Sequence, residues 1–510
     1  MKKQNYYITT PIYYVNDVPH IGHAYTTLAC DVIARFKRLD GYNVKFLTGT
    51  DEHGQKIENS AALAGLDPKS LTDKVSQNFR DLADYMNFSY DDFIRTTEKR
   101  HFTACQKLWK DLEEAGQLYL GNYAGWYAVR DEAFYSESEL TRNKVGDRYA
   151  PSGAKAEWVE EPSYFFKLSA WQDKLLAFYD ANPDFILPLT RRNEVLNFVR
   201  SGLQDLSVSR TTFEWGIPIP DDTKHIMYVW LDALTNYITA TGFPDIKGDF
   251  ETFWPANLHI VGKDILRFHA VYWPAFLMAA GLEPPKRVFA HGWWTNEGNK
   301  ISKSLGNVID PFSLVDTYGL DQIRYFLLRE VPFGNDGDFS HSSVVGRING
   351  DLANDYGNLV QRVLSMIYKN CDAKIPVPDE LEEGDKKLLN SIYNLLKETR
   401  KKIDSQAFNQ ALEIIWTGVK MGNSYVDSQA PWALKKEDPK RMETVLYVLA
   451  EVIRNIAILT LPFMPSSSEK ILKQLAVPPT SWAFDSYGSK TPIKPRTRLA
   501  KPEGVFPRFN

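Results

Sequence analysis

Cysteine is nearly absent from this chain of 510 residues: Cys30, Cys105 and Cys371 are the only three, and they lie far apart. That excludes a disulfide framework and a cluster of thiolate metal ligands, and it fits a reducing compartment. Long apolar runs are missing too. The longest, Ala270 to Leu282, falls short of the roughly 20 residues a membrane span needs, and Pro274 interrupts it. After two lysines the N-terminus continues with Gln, Asn, Tyr and Thr in place of an apolar segment, so no signal peptide is expected. A cytoplasmic protein without a membrane partner follows. Excess charge of one sign is also lacking, since 60 Lys and Arg face 64 Asp and Glu for a net charge of −4. A protein that coats nucleic acid indiscriminately is thereby excluded, and any RNA must be held by local patches. No internal repeat or low-complexity segment occurs. What the chain does have is 44% hydrophobic and 13% aromatic residues, enough for substantial cores in several domains.

Periodicity divides the chain into four parts. Over residues 1–120, strand-like runs (Tyr6–Val15, Val44–Thr48) alternate with helical ones, the grammar of a doubly wound parallel α/β sheet of the Rossmann type. Residues 121–224 switch to short aromatic pieces, charged turns and Pro and Gly breaks, which reads as an α+β insertion splitting that sheet. Alternation resumes over 225–340, with strands predicted at Met227–Trp230, Leu258–Val261 and Val288–Trp293 and a helix at Ile265–Ala280. Residues 341–510 carry long amphipathic stretches and predict an all-α helical bundle, ending in a Pro-rich tail folded back onto the body.

Two short segments are the most informative chemically. Pro19-His20-Ile21-Gly22-His23 precedes Ala24, Leu28, Ala29, Val32, Ile33, Phe36 and Leu39 at helical spacing, so it sits on a strand-to-helix turn. Free backbone N–H groups and the positive end of the helix dipole make such a turn an anion site, and Gly22 leaves room for a nucleotide. Two imidazoles can donate to an oxyanion that gains charge in a transition state. Lys300-Ile301-Ser302-Lys303-Ser304 places two ammonium groups on a small, hydroxyl-rich loop suited to a leaving pyrophosphate. Taken singly, the histidines equally fit a satisfied turn or a metal pair, and the lysines an ordinary solvated loop.

In this order the two segments resemble the signature motifs of class I aminoacyl-tRNA synthetases. Further stretches make the chain similar to the methionyl-tRNA synthetase family along essentially its whole length. They are Tyr13-Tyr14-Val15-Asn16, Thr50-Asp51-Glu52-His53-Gly54, Gly202-Leu203-Gln204-Asp205 with Ser209-Arg210, Tyr228-Val229-Trp230-Leu231-Asp232-Ala233, Gly262-Lys263-Asp264-Ile265, Phe268-His269 and Gln429-Ala430-Pro431-Trp432. The resemblance implies ATP-dependent activation of methionine, with Mg²⁺ on the ATP, and transfer to tRNA(Met), initiator and elongator. It implies catalytic roles for His20, His23, Lys300 and Lys303 and ATP contacts from Gly22, Arg210, Asp264 and Lys303. It assigns Ile12, Tyr14, Asp51, Trp230, Ala233, Leu234, Tyr237, Ile265 and His269 to methionine, and Asn358, Arg362 and Trp432 to the anticodon.

The residues themselves agree with these roles. Asp51, just past the second predicted strand, can grip an ammonium, or alternatively cap a helix. A thioether needs dry aromatic and aliphatic walls, and Trp230 and Tyr237, two helical turns apart, can share a face, although core packing would look the same. Asn358 and Arg362 stand at i and i+4, and Trp432 in a Pro-Trp segment between helices can stack on an unpaired base. A capping Asn, a surface Arg and a core Trp are the bland alternative. Lys397, Arg400, Lys401 and the basic tail (Lys490, Lys494, Arg496, Arg498, Lys501, Arg508) are either RNA patches or solvated surface.

Two departures from the family pattern matter. Ile301 stands where relatives more often have Met, at an apolar spacer. The insertion from Gly121 to Pro220 has neither cysteine nor histidine, so no structural zinc and no metal ligands are expected. The extra C-terminal domain by which some relatives dimerise is not in the sequence, and a monomer is expected. Class I enzymes for Leu, Ile or Val would need a large editing insertion, and one for Cys a thiolate-bound zinc. A nucleotidyltransferase without an RNA partner would lack the Asn358, Arg362, Trp432 set, and a non-catalytic tRNA-binding relative would not need the histidines and lysines.

Overall fold

The computed structural model describes residues 3–15, 18–131, 133–301 and 308–509; the side chain of Lys300 is outside this set, as is Lys303 entirely. The chain forms two compact bodies, one of Asn5–Pro19 and Lys45–His291, the other of Met1–Gln4, His20–Val44 and Gly292–Asn510.

The first body is built on a parallel sheet in the order Ile186–Leu187, Val288–His291, Leu258–Gly262, Asn5–Thr9, Asn43–Asp51, with Tyr13–Tyr14 and Asp92–Arg95 also pairing with the last. Asn43–Asp51 is buried continuously from Phe46 to Asp51, as expected of a parallel strand covered on both faces. The single strand predicted over Tyr6–Val15 is two, because Pro11 has no N–H for the ladder. Thr10 there turns its hydroxyl to that of Thr48, 2.8 Å away. Asp51 does not lie past its strand; it is the last strand residue, paired in register with Tyr14.

The strand predicted at Met227–Trp230 ends at Met227, and a helix, Val229–Thr239, takes over. Its apolar residues recur at the helical period, so Trp230 projects from a helix. The helix predicted over Ile265–Ala280 is a 3₁₀ turn (Lys263–Ile265), a π turn (Phe268–Tyr272) and an α segment (Trp273–Ala279). Pro274 is tolerated at the start of that segment, where its missing N–H costs no bond. The insertion is α+β as predicted. Leu118–Ala128 pairs antiparallel with Lys155–Phe166, Ala133–Tyr135 joins the former, and helices Gln172–Ala181 and Leu189–Arg200 follow. Between those helices Ile186–Leu187 becomes the edge strand of the parallel sheet.

The second body is mostly helical. Glu383–Asp404 and Phe408–Gln429 each bury one stripe, whereas Pro439–Thr460 is buried on all sides from Thr444 onward and is therefore central. The helix Ile21–Leu39 packs in this body. Its Asp31 and Arg324, both fully buried, pair at 2.6 Å, and Arg324 also donates to the carbonyls of Pro462 and Phe463. Phe36 meets Phe484 edge-on at 4.6 Å, and Lys37 bridges to Asp404 at 2.7 Å. Arg400 is held by the Asp40 carboxylate at 3.0 Å, so this member of the basic stretch is a structural tie and not a free RNA contact. The tail does fold back: Lys374 bridges Arg498, Arg508 donates to Asn354, and the Phe509 amide donates to Asn349.

Candidate functional site

His20 caps the helix Ile21–Leu39. Its Nδ1 accepts from the Gly22 amide at 3.0 Å, while His23 Nδ1 accepts from the His20 amide at 3.1 Å, a capping box made of two histidines. Each Nδ1 is thereby an acceptor, so in the neutral rings the proton sits on Nε2, poised as a donor. The rings stack with centroids 3.9 Å apart. Burial, and then the neighbouring His20, lower His23 well below the usual histidine range. An imidazole Nε2–H is the kind of donor a phosphate-facing turn needs. A Cβ on Gly22 would come within 2.9 Å of the His20 ring, so it is this ring, at closest range, that requires glycine here. Of the lysine segment, Lys300 lies in the short strand Asn299–Lys300, while Ser302, Lys303 and Ser304 are outside the described residues.

The methionine set is organised around His269. Its Nδ1 can only donate to the carbonyl of Ile265, 2.9 Å away, so Nε2 accepts from the Tyr237 hydroxyl at 2.7 Å. Burial holds this ring at about 4, against the bond to Ile265, and keeps it neutral. Tyr237 is fixed in turn by the Tyr7 hydroxyl, which donates to its carbonyl at 2.8 Å. Trp230 stands edge-on to His269 at 6.2 Å and lies flat on Phe268 at 3.7 Å. Its indole N–H has no acceptor among the described residues. Ala233, Leu234 and Tyr237 are buried on the same helix, Ile12 and Tyr14 are half-buried, and Asp51 is 8% exposed. The result is a dry, aromatic-walled setting on the same body as a carboxylate.

Arg210 is 2% exposed, an unusual place for a guanidinium. Its Nη1 donates to Ser207 at 2.8 Å, and its plane lies over Phe134 at 4.1 Å and Tyr228 at 4.6 Å. Nε and Nη2 have no hydrogen-bond partner among the described residues, and neither has Oε1 of Glu161, 3.8 Å from Nε. Unspent donors on a buried cation are suited to an anion. Phe134 and Tyr228, the rings against which the Arg210 guanidinium lies, line a cavity of about 230 Å³ together with Asp264.

In the second body Asn358 and Arg362 share a face of Asn358–Asn370. Arg362 bridges to Asp427 at 3.0 Å and faces the ring of Trp432 at 5.6 Å. Ala430, in the left-handed region at φ 43°, turns the chain so that Trp432 lies near the start of the helix Pro431–Glu437, not between helices. At 52% exposure Trp432 is no core residue.

The family described as "tRNA synthetases class I (M)" matches residues 6–364, and "Anticodon binding domain of methionyl tRNA ligase" matches 375–510. The methionine--tRNA ligase of Brucella suis is 56% identical over 509 residues, covering 100% of this chain and 99% of that one. The enzyme of Rickettsia felis is 57% identical, with 99% of each chain covered. The Mycobacterium tuberculosis methionyl-tRNA synthetase solved with methionyl-adenylate superposes with a TM-score of 0.97 at 52% identity, over 99% of this chain and 100% of that one. The chain belongs to the methionyl-tRNA synthetase family. As a class I synthetase of this family it is an enzyme that joins methionine to tRNA. No helix among the described residues is long and apolar enough to cross a membrane.

For this methionyl-tRNA synthetase family member, sequence reading overlooked Phe268 as the partner of Trp230, although the Phe268-His269 pair was visible as a motif. It also overlooked the buried array of His53, His101 and Asp232. The available signal was a carboxylate, Asp232, in an otherwise uncharged helix.

Proposed function

We propose that this chain makes methionyl-tRNA in two steps through methionyl-adenylate, with the residues above in the following roles. Asp51 binds the ammonium of methionine, and Trp230, Ala233, Leu234, Tyr237, His269, Ile265, Ile12 and Tyr14 enclose its side chain. ATP enters as its Mg²⁺ complex. A carboxylate oxygen of methionine attacks the α-phosphorus, the bond from that phosphorus to the β-phosphate bridge breaks, and pyrophosphate leaves. The Nε2–H groups of His20 and His23 donate to the phosphoryl oxygens as charge builds, Lys300 and Lys303 neutralise the leaving pyrophosphate, and Arg210, Gly22 and Asp264 serve the nucleotide. A hydroxyl of the terminal ribose of tRNA then attacks the adenylate carbonyl, loses its proton and expels AMP.

The observation that supports this reading best is the neutral His269, whose ring is locked by Tyr237 and Ile265 beside Trp230: a charged ring would need water or a counter-ion that a dry thioether pocket does not supply, and a neutral one can wall it. Asn358, Arg362 and Trp432 read the anticodon of both initiator and elongator tRNA(Met). The enzyme works as a cytoplasmic monomer without structural zinc. Its four parts are the split catalytic domain (1–120, 225–340), the insertion (121–224) and the anticodon-binding bundle (341–510). Amino-acid-dependent exchange of labelled pyrophosphate into ATP tests the assignment: methionine should support it best among the standard amino acids, and another amino acid doing so would overturn it.

A further inference from the structure

Asp232 is a fully buried charge that the roles above leave unused. It lies on the helix Val229–Thr239 between Trp230 and Ala233. Its Oδ2 accepts from Nδ1 of His53 and its Oδ1 from Nε2 of His101, both at 2.7 Å. An ionised carboxylate only accepts, so both of those ring nitrogens carry protons. Burial alone would raise the Asp232 carboxyl, but the two histidines overcome it and hold the group at about 2. The array continues to the same helix two turns further on, since Nδ1 of His101 lies 3.0 Å from the Thr239 hydroxyl.

His101, Cys105 and Asp232 are ligand types for a metal and lie close together, yet their spacing is that of hydrogen bonds. His101 Nε2 is 2.7 Å from Asp232 and 3.2 Å from Cys105 Sγ, whereas two ligands on a tetrahedral zinc stand about 3.4 Å apart. The cluster is a carboxylate clamp.

What the clamp joins is informative. His53 is two residues past Asp51, in a segment held on every side. Glu52 is gripped by Arg95 at 2.6 and 2.9 Å and by Thr97. Trp215 donates to the Glu52 carbonyl at 2.6 Å and accepts from the Gly54 amide at 3.0 Å. The His53 ring meets Phe102 and Trp215 edge-on, each at 5.5 Å. The Cys105 thiol, raised first by burial, is raised further by Asp232 and by Asp51, so both carboxylates act on one spot. Asp232 therefore links the strand end that carries Asp51 to the helix that carries Trp230, Ala233, Leu234 and Tyr237.

We propose that Asp232 is a positioning residue for methionine recognition. Gripped by His53 and His101, it fixes the span between the carboxylate that takes the ammonium and the walls that take the thioether. The proposal rests on the assignment of Asp51 and the Val229–Thr239 helix to methionine. Loosening the clamp should weaken methionine binding and spare ATP.

The ring geometry supplies the test. The amide nitrogen of asparagine takes the place of a histidine Nδ1, and that of glutamine the place of Nε2. His53→Asn and His101→Gln keep the donor to Asp232, while His53→Gln and His101→Asn withdraw it. Methionine Kd is read by calorimetry without ATP, and the KM for ATP by pyrophosphate exchange. Withdrawing the donor should raise the methionine Kd by about tenfold or more with the ATP KM unchanged, and the donor-keeping variants should restore most of the affinity. Equal Kd values within each pair, or an ATP KM that moves with Kd, would overturn the clamp. If the fully buried His101 variants fail to fold, the His53 pair decides alone. Asp51→Asn in the same titration separates the two readings. Should it leave Kd unchanged, the ammonium assignment falls and the proposal with it; should it weaken binding while the His53 pair does not differ, only the clamp falls.

Discussion

Replacing Trp432 by alanine should damage RNA recognition while leaving the chemistry untouched. The ring is 52% exposed, and its cationic neighbour Arg362 is held independently by Asp427. About half of an aromatic surface of roughly 250 Å² is covered, which bounds the stability loss at about 3 kcal/mol by area and less against a compact unfolded chain. The pyrophosphate exchange rate with ATP and methionine should not change. Stacking on an unpaired base contributes about 1–3 kcal/mol, so aminoacylation of tRNA(Met) should fall by about 5- to 150-fold. Because the lost contact is with a base, the ratio between native and anticodon-altered tRNA should shrink as well. Trp432→Phe, which keeps a smaller stacking face, should lie between the two. The assay is steady-state aminoacylation at a temperature well below the unfolding midpoint of each variant. A folded Trp432→Ala enzyme with the native ratio between the two tRNAs would refute the reasoning and make the exposed ring irrelevant to the anticodon.

Lys303→Ala should slow single-turnover adenylate formation with methionine affinity intact, because its charge is needed as pyrophosphate departs; a native rate would assign that charge elsewhere. Tyr237→Phe strips the donor from a buried acceptor, His269 Nε2, at a cost of about 1–3 kcal/mol shared between thermal stability and the methionine KM. No change in either would contradict the hydrogen bond. Burial depresses His269 from 6.5 to about 4, with His23 and His259 shifted the same way, so the unfolded chain binds protons first as pH falls. Stability should therefore decline from about pH 6.5 down to 4, by up to roughly 3 kcal/mol from His269, and urea titrations of His269→Gln should show a shallower decline. Chelation followed by restored Mg²⁺ should leave activity unchanged, and one tightly held zinc per chain by elemental analysis would contradict that reading of the insertion.

The parallel sheet and the helical bundle were legible in the sequence because each rests on a local period of apolar residues, and the α+β insertion because its short aromatic pieces and breaks depart from those periods; local patterns survive in one dimension. The same holds for the turn at His20, where the helix that follows is written in Ala24, Leu28 and Val32. The errors were equally local in origin. Pro11 broke a strand that apolar content alone had made continuous, and Trp230 was placed in a strand although the structure puts it on a helix whose other residues are all buried. Which charges find each other was not legible, because it depends on contacts between residues more than a hundred positions apart. Arg400 stood open between an RNA contact and solvated surface until Asp40 was found beside it, and Asp232 was visible only as one member of the Tyr228–Ala233 motif. The sequence alone determined the class of fold, the two motifs proposed for phosphate and the residue types proposed for methionine. Only the tertiary structure decided the protonated nitrogen on His20, His23 and His269, the stacking of Phe268 on Trp230 and the exposure of Trp432. Each of those depends on a neighbour brought near by folding, and burial then sets how much that neighbour matters.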